Sequence, residues 1–133
     1  MMLSKSTVVS VAILAATLAP AMAGPVAPAS APQLRLAMSA LGNLAPYRSI
    51  AADTLRIVQT GALPAAKVRV KDLETAWDDA EAVTKPKDRT TWSAIDKSID
   101  AALNALRADA PKQADCTATL QALIAKMDAV EKA

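Results

Sequence analysis

From residue 46 onward, apolar side chains recur at spacings of three and four, and polar residues fill the positions between them. The first stripe is Tyr47, Ile50, Ala51, Leu55 and Val58; the second is Ala66, Val70, Leu73, Trp77 and Ala80. The third is Trp92, Ile95, Ile99, Leu103 and Leu106; the fourth is Leu120, Leu123, Ile124, Met127 and Val130. Such spacing places each set on one side of an α-helix, the side that must be buried. No alternating, strand-like pattern competes with it. Prolines at 46, 64, 86 and 111 mark helix starts, where a missing N–H leaves no partner unsatisfied. Gly61 fits the left-handed residue that closes a helix. Together these marks predict helices over 46–60, 64–84, 89–108 and 111–131. Short connections between them force antiparallel neighbours, so the fold class is all-α, a small up-down bundle of about four helices.

Ahead of this pattern the chain reads differently. Lys5, an apolar run from Val8 to Ala19, Pro20 and the triplet Ala21-Met22-Ala23 have the layout of a secretory signal peptide cleaved after Ala23. The run is too short to span a bilayer, which takes roughly 20 apolar residues. The expected product is therefore exported, to the periplasm or beyond, with no stable membrane insertion. Residues 24–32 hold three prolines among alanine, glycine and serine and read as an extended leader. A short helix ending near Gly42 is expected inside 33–43. The organisation is then a signal peptide over 1–23, a flexible leader over 24–45 and a bundle over 46–133.

Composition narrows the chemistry further. Cleavage would remove Lys5 and leave 14 basic against 13 acidic side chains, with no block of like charge to draw the protein to nucleic acid. The sequence contains no histidine, which removes His-based triads, His metal sites and phospho-accepting histidine from consideration. Its three glycines lie at 24, 42 and 61 and form no phosphate loop. Catalytic residues and cofactors are accordingly not expected. The one cysteine, Cys116, reads as a small buried apolar residue, and the alternative is a bridge to a second copy.

Two acidic groups invite a functional reading. In DLETAWDDAE, residues 72–81, five carboxylates flank Trp77, but on a helix they fall along opposite borders of the apolar stripe and do not converge. Lys67, Arg69 and Lys71 are interleaved, so the segment reads as a solvated, internally neutralised face, with Arg69 three before Asp72 and Lys71 three before Glu74. Asp96 and Asp100 are sharper, because like charges four apart on one helix repel unless a cation intervenes. Arg107, Arg69 or Arg56 is expected to supply it, making a structural polar cluster. A divalent metal or polyamine held by Asp96 and Asp100 is the alternative. Trp77 and Trp92 are expected to meet as core anchors where the second and third helices turn back on each other.

The stretches AAKVRVKDLETAWDDAE and WSAIDKSIDAALNALRA resemble a group of small exported proteobacterial proteins. That group shares a D-L-E-x-A-W-D-x-A-E helix, a W-x-x-I-D-K-x-I-D helix and a single cysteine before the last helix. The likeness covers about residues 60–131 and implies a distinct domain type. It brings no catalytic residue with it. The expected function is non-enzymatic binding of a protein partner, in envelope homeostasis or sensing. The alternative is a small-ligand or cation-binding periplasmic protein that uses Asp96 and Asp100 with an arginine.

Overall fold

The computed structural model of the protein describes residues 39–133. Four helices follow in chain order: α1 (Ala45–Gln59), α2 (Leu63–Thr84), α3 (Arg89–Arg107) and α4 (Gln113–Lys132). Each packs on its neighbours in sequence, and α1 closes the ring against α4, so the four make an up-down bundle. The contact between α2 and α3 is the slightest of the four. The expected signal peptide over 1–23 and most of the expected leader lie outside the described residues.

The boundaries follow from local chemistry. Pro46 and Pro64 sit in the first turns of α1 and α2, where proline forfeits no helical hydrogen bond. Gly61 has φ of 83°, and its N–H caps the carbonyl of Val58 to end α1. Asp88 opens α3 as an N-cap, accepting from the Thr91 N–H at 3.1 Å. Those hydrogen bonds from Thr91, hydroxyl first and backbone second, hold the Asp88 carboxyl below the usual carboxylate range. α4 begins two residues later than its proline suggests. Pro111 precedes the cap residue Lys112, and the Gln113 side chain reaches back to the carbonyls of Val58 and Gln59 at the end of α1.

The core is aliphatic around one aromatic cluster. Ala51, Val58, Ala66, Val70, Leu73, Ile95, Ile99, Leu120, Leu123 and Met127 are all but sealed from water. Thr54 is buried as well, and its hydroxyl satisfies itself on the Ile50 carbonyl at 2.8 Å. Cys116 lies fully buried among these residues, and burial pushes its thiol above the usual range. A disulfide between two copies through Cys116 therefore does not fit this fold, since the sulfur has no path to a partner while α4 is docked.

The leader is corrected at its C-terminal end. Leu41 and Leu44 are 2% and 1% exposed and belong to the core, so the packed domain starts before residue 46. Over 39–42 the chain forms a turn and no helix. Its Gly42 N–H donates to the Ser39 carbonyl at 2.9 Å, and Gly42 has φ of 106°. Among the described residues no helix is long and apolar enough to cross a membrane.

Candidate functional site

The aromatic cluster organises the α2–α3 seam. Trp77 on α2 and Trp92 on α3 stack at 5.6 Å with planes 17° apart, and Tyr47 of α1 meets Trp77 edge-on at 5.3 Å. Lys85, at the end of α2, sits 4.4 Å over the Trp92 ring. Two large rings between the helices keep the axes apart, consistent with the slight contact there. The Trp77 indole N–H donates to Asp96 at 3.1 Å, which ties the ring to α3. The Trp92 indole N–H is buried with no hydrogen-bond partner.

Ion pairs cross the α1–α4, α1–α2 and α2–α3 seams. Arg48 of α1 holds Asp128 of α4 through both carboxylate oxygens, and Arg69 of α2 bridges Asp53 of α1 and Asp72 of its own helix. Arg107 of α3 grips Glu74 of α2, and Arg56 pairs with Asp53. Arg107 beside Glu74 and Arg48 beside Asp128 hold those two carboxyls below the usual range. All are about one-third exposed or more, so solvent screens them and each contributes little.

This arrangement overturns the expected arginine clamp. Arg107, Arg69 and Arg56 are all committed to other carboxylates, and among the described residues no ion pair reaches Asp96 or Asp100. The reason is register. Arg107 projects from the last turn of α3 toward Glu74, about two turns beyond Asp100, while Arg69 lies on the side of α2 that faces α1. Burial, then the charge of Asp100, push the Asp96 carboxyl above its ordinary range, with smaller contributions from Glu81 and Asp78. The Trp77 N–H opposes that shift without cancelling it. Asp96 is thus a half-buried carboxylate among three others, Asp78, Glu81 and Asp100, of which only Glu81 has a cation partner, Lys85.

Of the five carboxylates around Trp77, Asp72 pairs with Arg69 as the spacing implies. Glu74 takes Arg107 across the seam instead of Lys71. Next to these lies an open groove of about 350 Å³, lined by Asp78, Glu81, Ala82, Lys85, Pro86 and Arg89. Among the described residues no three acidic or thiol groups are placed to hold a metal ion together. Millimolar calcium or magnesium is therefore expected to move the melting temperature by no more than about a degree, because stabilisation by a ligand requires affinity for the folded state. Asp100→Asn is expected to change stability by no more than about 1 kcal/mol, since Asp100 is exposed. A rise of several degrees with metal that Asp100→Asn abolishes would contradict both.

The chain matches no known protein family, no curated protein and no solved structure.

Proposed function

We propose that this is an exported, non-enzymatic helical module that binds a protein partner through the α2–α3 seam, in envelope homeostasis or sensing. The observation that carries this reading is the unneutralised acidic edge of Asp78, Asp96 and Asp100 beside the tryptophan stack. The other interhelical carboxylates, Asp53, Glu74 and Asp128, have arginines of their own. A fold that gives Asp53, Glu74 and Asp128 arginines while leaving Asp78, Asp96 and Asp100 together without a cation accepts a local loss of stability at that edge. Such losses concentrate where a surface is shaped for binding. A partner presenting lysine or arginine would supply the missing countercharge and gain in association rate and specificity.

A photo-cross-linking residue at position 100, introduced in the host cell, is expected to give one discrete heavier adduct. The same residue at Gln121, on the exposed side of α4, is expected to give none. Charge reversal at Asp78 should remove the adduct from position 100. Equal adducts from both faces, or none from the seam, would count against the reading. Intact mass of the unmodified protein from those cells is expected to begin at Gly24. A species that keeps residues 1–23 would remove the export part of the proposal.

A further inference from the structure

The opposite border of α3 carries the opposite charge. Arg89, Thr90, Ser93, Ala94 and Lys97 of α3, with Lys126 of α4, line an open groove of about 580 Å³. No carboxylate lines it. Arg89 is the one described arginine without a carboxylate within 4.0 Å, and Lys97 and Lys126 have none either. Lys126 leans across the groove with its Nζ at 3.4 Å from the Ala94 carbonyl, which sets it beside α3 between Arg89 and Lys97. Eight residues of helix separate Arg89 from Lys97, a rise of about 12 Å, and Ala94, where Lys126 docks, lies between them, about 7.5 Å along from Arg89 and about 4.5 Å before Lys97.

From these contents, we infer that the α3–α4 groove is a binding site for a ligand bearing two or more phosphate groups. The contents are donors: a guanidinium fork, two ammonium groups, and the hydroxyls of Thr90 and Ser93, which make no hydrogen bond within the described residues. A groove that offers donors and positive charge suits a ligand rich in acceptors and multiply anionic, and guanidinium pairs with phosphate oxygens two at a time. Three cations spread over about 12 Å of helix offer more positive charge than one phosphate takes up, and suit two or three phosphates in succession. Asp88, the nearest acid in sequence, is turned to Thr91 and lines a different cavity with Ser39 and Val130. The volume falls within the range of small-molecule sites, roughly 300 to 1,000 Å³. Arg89 stands between this groove and the one lined by Asp78 and Glu81, whereas Lys97 and Lys126 line only the α3–α4 groove, so the Lys126 variant tests this site apart from the partner proposed for the acidic edge.

Titration of the mature chain with inorganic tripolyphosphate at about 0.15 M salt tests the site, followed by amide NMR shifts. The expected result is one-to-one binding, with shifts confined to residues 89–97 and the surroundings of Lys126. Arg89→Gln and Lys126→Gln should each weaken binding about tenfold, the loss of one charge-assisted contact, while melting temperature stays unchanged. Lys112→Gln, an exposed cation outside the groove, should leave binding intact. A parallel arm uses vesicles of phosphatidylglycerol in phosphatidylcholine. Vesicle binding lost in the two groove variants would place the phosphates on lipid headgroups, whereas tripolyphosphate binding alone would make them those of a free ligand. Absence of binding in both arms, or equal weakening by Lys112→Gln, would overturn the inference.

Discussion

Trp77→Ala is expected to leave the domain barely folded at room temperature. The ring is 1% exposed and stands where three helices meet, stacked on Trp92 and met edge-on by Tyr47. Emptying a site of that size costs about 3 to 5 kcal/mol. The two aromatic contacts add roughly 1 kcal/mol beyond burial. Asp96 also loses its indole donor, so a carboxylate already disfavoured in its charged form becomes more so. Against a total stability of about 5 to 10 kcal/mol for a domain of this size, the sum leaves little. Thermal unfolding followed by circular dichroism measures this, and an unchanged midpoint would place the ring outside the core. Trp77→Phe keeps a six-membered ring in the core and loses the rest of the indole with the Asp96 hydrogen bond, so it should cost less than Trp77→Ala.

Leu44→Ala ranks second. Leu44 is 1% exposed just ahead of α1, and its carbonyl accepts the Arg48 N–H at 3.0 Å, so backbone and side chain are both engaged. Truncation of a sealed leucine costs about 2 to 5 kcal/mol. A residue in a loose leader would cost nothing measurable. Urea midpoints of the wild type and Leu44→Ala distinguish the two, provided the slope stays the same.

The helices were legible because their signals are local. Pro46, Pro64 and Gly61 each act through their own backbone, and the four stripes need only a period to be seen. The meeting of Trp77 and Trp92 was legible too, since both flank one short connection. Thr54 escaped because its polarity hides a hydroxyl that bonds to its own helix. Leu41 and Leu44 escaped because two leucines in a turn have no periodicity to reveal which way they face. The arginine partners were the hardest to read. Several arginines lie within reach of several carboxylates, and the choice depends on helix rotation, which spacing along one helix does not encode. Arg48 with Asp128, 80 residues apart, has no sequence signature at all.

Because Arg56, Arg69 and Arg107 are held by other carboxylates, Asp96 carries a charge the fold does not balance, and its titration is the most direct test. Because the folded state raises the affinity of Asp96 for a proton, its contribution to stability is fully present when it is protonated. That contribution is lost as pH rises from the ordinary carboxylate range through the higher folded value. Glu74, Asp88 and Asp128 are shifted the other way, so their contributions are lost only as pH falls through their depressed values. The two windows lie on opposite sides of the ordinary carboxylate range. Asp96→Asn keeps an oxygen for the Trp77 N–H and removes the charge. The decisive measurement is the melting temperature of wild type and Asp96→Asn between pH 4 and 8. The account predicts that the variant is the more stable at neutral pH, by up to about 1 kcal/mol, and that the advantage fades toward pH 4. A variant less stable than the wild type at neutral pH would mean that a cation balances Asp96 after all, and would contradict the uncompensated seam on which the proposed function rests.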